Sequence, residues 1–368
     1  MKSNNISIFK SLGTAVHRFF GIMILWIYTK AFTWVLTIVG SLFMRTKMSH
    51  NNGIAAVGSI RFVDDPKFPL HPFFEPGKTL PCRVRHAAAS FMDDAMRVVR
   101  SMSIKMADDS KKSPMDIELN TGETALFWSI ASFFRFAKYK KTRFGMQYED
   151  YYRKYPTGVE GAHVGMRRDP TSFSNLRYHT QTPFLYEAED NVLRYIKYRT
   201  IPAEDVPESG LLDEYDMLIP VENQRILPGE TRDRNYLKEE YVERLRTGSI
   251  KYKLQIQLHE ASDDDDPEIF NGCKKWDEPS HPWMDLAEVT MNKPLDWAES
   301  TRMIFTMKNL PKGLGIIPSY SIYDYNSLNF LRRHSDLARN ARVWAINLFG
   351  MPREIPDNDI RNSNSASY

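Results

Sequence analysis

The stretch Ser49–Gly58 reads Ser-His-Asn-Asn-Gly-Ile-Ala-Ala-Val-Gly, and an extended apolar pattern with one charge, Ser59–Val63, follows it. The histidine of this stretch, His50, stands among small residues and glycines. Small residues allow a flat, rigid ligand or another part of the backbone to approach closely. A histidine can take up or release one proton near neutral pH. The stretch makes His50 a candidate site residue, although most histidines in such surroundings are structural or solvated.

Composition and cysteine usage argue against several classes of protein. The chain has 368 residues, enough for one large domain or two smaller ones, and its net charge of +3 gives no argument for a nucleic-acid partner. Its two cysteines, Cys82 and Cys273, are far apart and lack a CxxC or CxxH spacing. We therefore expect no nucleic-acid partner, no disulfide framework and no zinc site. The sequence also lacks a GxGxxG motif, a P-loop and a GxSxG motif.

An apolar segment near the N-terminus is long enough to cross a bilayer. Residues 1–18 are polar and basic, and Phe19–Phe43 is almost wholly apolar over 25 residues. Lys30 lies within this segment and is costly in a membrane span, which favours a tilted or interfacial helix. A buried core helix is the alternative. We expect residues 1–44 to form a basic segment and a membrane-associating hydrophobic helix ahead of the main domain.

Several later segments alternate in polarity as half-buried strands do. Met115–Leu119 alternates and is followed by Asn120-Thr121-Gly122, a turn signal. Lys251–Glu260 is the clearest strand, with apolar and polar residues predicted to face opposite ways. Helical patterns such as Asn235–Arg246 and Asn326–Phe349 lie between and after the strands. The outline predicts an α+β fold, an antiparallel β-barrel with added helices over residues 45–350, followed by a disordered tail at 351–368.

The order of short motifs resembles that of haem catalases, and the match is closer to the catalase-like allene oxide synthases of corals. His50–Gly53 resembles the distal-histidine segment of the family, and Arg83–His86 resembles the strand that follows it. Met115–Asn120 resembles the segment that ends in the distal asparagine. Similar segments continue in the same order as far as Asp324–Ser327, so the resemblance covers roughly residues 45–350. It implies a haem-centred, catalase-like β-barrel.

The resemblance implies catalytic roles for three residues. His50 and Asn120 match the two side chains that stand above the haem face in the family. A neutral imidazole can accept the proton of a hydroperoxide and return it, and an amide can steady the developing charge on oxygen. Ser49 stands beside the histidine, where its hydroxyl could hydrogen-bond a peroxide or a haem nitrogen.

The resemblance also implies residues that hold the haem. The haem propionates need cations, and Arg85 matches a propionate-binding arginine of the family. Lys47 stands where the family has an arginine, and this exchange loses the bidentate fork of the guanidinium. Phe127 would pack near the haem edge, with ordinary core packing as an equal alternative.

The proximal side departs from the family pattern. The family's axial ligand is a tyrosinate four residues after an arginine, whose charge lowers the pKa of the tyrosine. Arg332 matches that arginine, but the residue four positions later is Asp336. A carboxylate rarely holds haem iron as the sole axial ligand.

Three explanations for the missing tyrosine stay open. His334 could ligate the iron, as histidine does in globins and peroxidases, if the helix rotated or slid. Tyr323 or Tyr325 could reach the iron from the preceding loop. Alternatively, haem is bound weakly or not at all.

We predict a membrane-associated haem b protein that acts on a lipid or terpenoid hydroperoxide, in an allene-oxide-synthase-like or peroxidase-like reaction, with its catalytic domain in the cytosol. True catalase activity is less expected because the ligand motif is missing and Ala87 replaces a polar residue usual there. The alternative is a catalase-fold protein that has lost the haem and serves as a non-catalytic binding or scaffold protein. An interaction protein that uses the acidic loop 202–231 is a third possibility without specific support.

Overall fold

The computed structural model describes residues 2–88, 93–138, 148–213, 226–227 and 229–352, with side chains from residue 14 onward except those of 148–150. Residues 353–368 of the predicted tail lie outside the described residues. The strands are β1 (Gly53–Phe62), β2 (Thr79–Ala88), β3 (Val98–Lys105), β4 (Asp116–Thr121), β5 (Met166–Arg167), β6 (Tyr178–His179), β7 (Phe184–Glu187), β8 (Leu193–Pro202), β9 (Ile250–Glu260), β10 (Met284–Leu295) and β11 (Leu314–Ile316).

Helices precede, connect and follow these strands. The first is the longest and continues directly into a π-helical segment, Leu36–Phe43. The α-helices are α1 (Lys2–Val35), α2 (Ile130–Lys138), α3 (Tyr148–Lys154), α4 (Val159–Gly165), α5 (Tyr236–Thr247), α6 (Trp297–Arg302), α7 (Ser327–Arg333) and α8 (Asp336–Phe349).

Eight strands close into an antiparallel barrel. Their order is β8-β6-β4-β3-β2-β1-β10-β9, and the pairing of β9 with β8 completes the ring. Beyond the ring, β7 and β11 continue the sheet from β8, and β5 pairs with β3. Closure pairs the backbone groups that an open sheet would leave at its edges. The predicted α+β fold, an antiparallel barrel with added helices behind an N-terminal apolar helix, is confirmed.

One face of the barrel strands forms the main apolar core. Within β9, Tyr252, Leu254 and Ile256 are buried in it, as the alternating pattern predicts. Gln257, on the other face, is also fully buried, and its amide donates a hydrogen bond to the His281 carbonyl. Both faces of β9 are therefore buried in this region, one by the apolar core and the other by segments outside it. The face turned away from the core can also carry a site.

The close pairing of β1 with β10 depends on a glycine. The register between the two strands shifts at Val57 and Gly58, which is a β-bulge. A Cβ atom at Gly58 would collide with the carbonyl group of Thr290 on β10. The bulge bends the first strand, and the glycine permits the close approach.

The predicted single helical pattern over Asn326–Phe349 is wrong in one respect, because the structure has two helices, α7 and α8. The chain leaves the helical path at His334 and Ser335. Both side chains bond to backbone carbonyls of α7: His334 Nδ1 lies 2.8 Å from the Phe330 oxygen, and the Ser335 hydroxyl donates to Leu331 at 2.6 Å. Such local side-chain bonds compete with helix continuation.

Candidate functional site

His50 lies at the end of the loop that leads into β1, and its backbone is in the left-handed region with φ of 57°. A residue other than glycine adopts this conformation at a cost, and such residues cluster at functional sites. Its Nδ1 atom lies 2.8 Å from the Ser49 hydroxyl oxygen, whereas its Nε2 atom is buried and has no hydrogen-bond partner among the described residues. Ser49 therefore orients the ring and leaves one nitrogen available to a ligand.

The surroundings of His50 keep its imidazole neutral. Burial, followed by the charges of three nearby cations, lowers the pKa of His50 from 6.5 to about 3. The Asn120 side chain is close enough to the same ring to oppose part of this pKa shift. The histidine and the amide thus share one space. The three cations, in decreasing order of effect, are Arg85, Arg332 and Lys47.

A row of small residues runs across four strands, from the start of β1 just after His50 to Asn120 on β4. Gly53 of β1 pairs with Ala87 of β2. Ala87 in turn pairs with Ser101 of β3, and Ser101 pairs with Asn120 of β4. Residues directly opposite each other in an antiparallel pair project from the same face of the sheet. The first three positions carry no large side chain, so the surface between His50 and Asn120 is flat.

Three buried or half-buried cations meet beside this surface, around the chain that follows α6. Arg85 of β2 donates to the carbonyls of His50 at 2.9 Å and Ser300 at 3.1 Å, which ties the histidine loop to α6. Lys47 donates to the Met303 carbonyl at 2.9 Å. Arg342 of α8 reaches the same carbonyl at 3.1 Å.

Lys47, Arg85 and Arg342 form a cation cluster. Its electrostatics favour the binding of an anion. Burial and the charge of Arg342 lower the pKa of Arg85 to about 9, and burial and a neighbouring arginine lower that of Arg342 to about 10. The pKa of Lys47 is lowered well below its usual value by burial and by both arginines, with Glu118 as the opposing carboxylate. Backbone carbonyls accept the hydrogen bonds described above, and buried charge that is paired only with neutral groups is costly.

Two further side chains of interest lie on α7 and α8. Burial lowers the pKa of Arg332, with Glu118 opposing the shift. Asp336 is bound on its carboxylate by Lys308 at 2.7 Å, by the Thr306 hydroxyl at 2.8 Å and by Arg339 at 3.1 Å. Burial acts to raise the pKa of Asp336, but these donors outweigh burial and hold that pKa below its usual value.

The chain is similar to the allene oxide synthase-lipoxygenase protein of Plexaura homomalla, with 39% identity over 292 residues that cover 78% of this chain and 27% of that protein. It is also similar to the linolenate 9R-lipoxygenase of a Nostoc species, at 30% identity over 77% of this chain and 37% of that protein. The chain therefore spans between a quarter and two fifths of the length of these curated relatives. No family model matches it.

In fold, the chain is similar to a bacterial catalase, with a TM-score of 0.62 at 16% identity, over 84% of this chain and 60% of that structure. The closed barrel agrees with the sequence relationship. The chain therefore has a catalase-like fold and is similar in sequence to an allene oxide synthase-lipoxygenase protein. Within this catalase-like protein, Ser49 and Asn120 lie beside His50, and the charges of Arg85, Arg332 and Lys47 act on the same ring.

His334, the predicted proximal ligand of the catalase-like protein, lies away from the group around His50. The His334 ring packs against Trp26 and Phe330, with ring centroids 4.6 Å and 4.3 Å away. The charges that act on its pKa come from Arg333, Lys308 and Lys30 rather than from the groups around His50. The structure therefore does not bring His334 together with the distal pair.

The other predicted side chains of the proximal side and the haem edge are also engaged elsewhere. The Tyr325 hydroxyl donates to the Glu268 carboxylate, and Tyr323 is 63% exposed. Phe127 packs against Phe133 and Phe136, with ring centroids 5.1 Å and 5.6 Å away, which is the core-packing alternative.

Sequence reasoning missed Arg342, Arg339 and Glu118. The two arginines are three residues apart on α8, and a spacing of three places side chains on one helix face. Arg332 lies on α7, on the other side of the helix break, so helical spacing does not relate it to this pair. The spacing of three on α8 was the available signal. Glu118 is two residues before Asn120 and so lies on the same face of β4.

The polar surface continues beyond Asn120 onto the next strand. Asn120 pairs with His179 of β6, whose ring lies 5.9 Å from that of Trp283. Within the part of the chain that the structure describes, four buried atoms have no hydrogen-bond partner: His179 Nδ1, Trp283 Nε1, Gln257 Oε1 and Glu123 Oε1. These atoms supply further hydrogen-bonding capacity to ordered water or to the polar part of a ligand.

Proposed function

We propose that this catalase-like protein binds haem b against the flat surface between His50 and Asn120 and uses it on a fatty-acid hydroperoxide. The observation that carries the proposal is the combination of a planar surface, an imidazole with a free nitrogen, and a cation cluster whose described acceptors are backbone carbonyls. A flat dianionic ligand with an iron at its centre satisfies all three features. The names of the two curated relatives, which include allene oxide synthase and lipoxygenase, support the substrate class.

The chain's own residues would hold such a ligand by charge. Lys47, Arg85 and Arg342 would bind its carboxylates, and the negative charge would offset the burial and the repulsion that lower the pKa of all three. Bound haem would supply the redox-active iron that cleaves the oxygen–oxygen bond of the hydroperoxide.

Proton transfer would fall to His50. Its low pKa keeps the imidazole neutral, so Nε2 can accept the hydroperoxide proton and return it to the departing oxygen. Asn120 would donate an amide hydrogen bond to the same oxygen. Ser49 would hold the ring through Nδ1 and thereby select the tautomer.

A second candidate function is a catalase-fold binding protein without haem chemistry, and the proximal side favours it. Asp336 stands where the family has its axial tyrosine, and three donors already bind its carboxylate. His334, the predicted replacement ligand, packs against Trp26.

The absorption spectrum of the full-length chain, expressed with supplementary haem, distinguishes the two functions. Stoichiometric haem with a Soret band, together with consumption of a fatty-acid hydroperoxide, supports the first, and chromatography of the products separates rearrangement from reduction. Absence of the Soret band rejects the haem-dependent function in favour of a binding protein without haem chemistry. His334→Ala tests the axial ligand separately, because an unchanged spectrum rejects His334 in that role.

A further inference from the structure

The N-terminal helix buries a stripe of mostly hydroxyl-bearing residues and exposes most of its large apolar ones, although Trp26 and Phe32 pack against the domain. Its buried stripe recurs every four residues and consists of Leu25, Thr29, Thr33, Thr37 and Ser41. Side chains on the opposite face, all more than half exposed, include Phe19, Ile27, Trp34, Val35, Val39 and Phe43. A surface helix of a water-soluble domain shows the reverse pattern. Small and hydroxyl-bearing residues at helix contacts, with large apolar residues outside, are typical of helices surrounded by lipid.

Specific contacts fix this helix to the barrel domain along its apolar length. A Cβ atom at Gly21 would lie 2.5 Å from the Tyr320 carbonyl oxygen, so glycine permits close docking. The Ser41 hydroxyl donates to the Ala338 carbonyl at 2.7 Å. The 20 residues between these two points correspond to about 30 Å of helix at ~1.5 Å per residue, which is the whole thickness of a bilayer core.

This docking conflicts with a membrane-spanning role. The stretch Thr14–Phe43 has the length and composition to cross a membrane. The same stretch lies alongside α7 and α8, where Leu25 joins an apolar cluster with Leu331. A spanning helix would have to leave these contacts and expose its hydroxyl-bearing stripe to lipid.

The apolar surface continues onto α8. Trp344, Leu348 and Phe349 are each more than half exposed, and the rings of Trp344 and Phe349 lie 6.0 Å apart. Arg45, which follows the π-helical segment, donates to the Phe349 carbonyl at 2.7 Å and so joins the two helix ends. We call the exposed apolar side chains of 14–43 and of α8 the apolar platform. Exposed apolar side chains grouped on two helices whose ends are in contact mark an interaction site.

We propose that the apolar platform inserts into one leaflet of an anionic phospholipid bilayer, so that the protein lies in the membrane plane and does not span it. Cations at the border of the platform suit anionic headgroups. The Arg18 guanidinium lies over the Tyr320 ring at 3.5 Å from its centroid, and the Lys30 ammonium lies 5.2 Å from the Trp26 ring centroid. Basic side chains beside an in-plane apolar face are typical of interfacial helices.

The in-plane arrangement is independent of whether haem is bound. Its distinguishing consequence is that α8 enters the lipid, whereas with a spanning anchor α8 would remain in water. The test therefore concerns α8 and leaves the N-terminal helix intact.

Flotation of the full-length chain with phosphatidylcholine–phosphatidylglycerol vesicles, after dilution from detergent, measures the contribution of α8. We expect Trp344→Ser/Leu348→Ser to weaken vesicle partitioning at least tenfold. The matched control, Leu193→Ser/Leu211→Ser, removes two exposed leucines elsewhere and should float as the wild type does. Equal flotation of the α8 variant and the wild type overturns the proposal. A wild-type chain that dimerises through the apolar platform and does not bind vesicles overturns it as well.

A fluorescent probe gives a second readout that does not depend on partition strength. The two native cysteines, Cys82 and Cys273, are buried, so a thiol-reactive polarity-sensitive dye labels an introduced cysteine selectively. Vesicles should shift the emission of dye at Leu348→Cys to shorter wavelength and leave that at Leu211→Cys unchanged. A vesicle-bound protein without the shift at position 348 contradicts insertion of α8.

Discussion

Three histidines are buried as neutral imidazoles, and we predict that acid destabilises the protein through them. Burial is the main cause that lowers the pKa of His50, His86 and His179 from 6.5 to about 3. In the unfolded chain each would take up a proton near its ordinary pKa, whereas in the folded chain each resists protonation. Their contribution to the free energy of unfolding is therefore complete above pH 6.5 and falls as the pH drops from 6.5 towards 3.

The size of this loss of stability follows from the difference between the pH and the pKa of the histidines in the unfolded chain. At pH 5, about 1.5 units below the unfolded value, each histidine reduces the free energy of unfolding by ~2 kcal/mol. Three such groups together reduce it by ~6 kcal/mol. Because a folded domain is stable by only ~5–15 kcal/mol, this loss is comparable with the whole stability.

Urea titration of the full-length chain in mild detergent, between pH 8 and pH 5, measures the loss. His179→Gln should remove about a third of the pH-dependent part, because it removes one of the three groups. A free energy of unfolding that is the same at pH 8 and pH 5 in the wild type would refute the assignment of buried neutral imidazoles.

Other substitutions test the site and the barrel. His50→Ala should slow hydroperoxide turnover by a factor of about 10²–10⁴ at unchanged haem content, measured by steady-state kinetics; equal turnover would reject its proton-transfer role. Gly58→Val should destabilise by ~3 kcal/mol or more because its side chain collides with β10, whereas Gly248→Ala, with open space around it, should melt like the wild type. Lys105→Met should cost ~3–5 kcal/mol by leaving Asp116 buried without its ammonium partner, and thermal melts of the Lys105→Met/Asp116→Leu double variant should recover part of that loss.

Local sequence patterns were sufficient for much of the barrel. The alternation in Lys251–Glu260 identified β9, and the spacing in Asn235–Arg246 identified α5, because period-two and period-3.6 burial are properties of single elements. The resemblance predicted His50 and Asn120 as neighbours, and the structure brings their side chains close together. The strand register contributes to this proximity, because the pairing from Gly53, three residues after His50, runs across four strands to Asn120.

Features that depend on packing between distant segments were not predicted. Arg342 joins the cation cluster because α8 packs on carbonyls 41 and 39 residues earlier in the chain, at Thr301 and Met303. The orientation of α1 was likewise inaccessible, since its high overall hydropathy conceals that the polar stripe is the buried one. His334 appeared suitable as a ligand by its position near Arg332, but the helix break and the Trp26 contact direct it elsewhere.

A haem titration of the full-length protein, followed by absorption, tests the central claim most directly when wild type and Arg342→Met are compared. We predict saturation at one equivalent for the wild type and at least tenfold weaker binding for the variant, because one of the cations that would hold the haem carboxylates is lost. A wild-type chain that shows no saturable Soret change, or a variant that binds haem as tightly as the wild type, would contradict the proposed placement of haem beside the cation cluster.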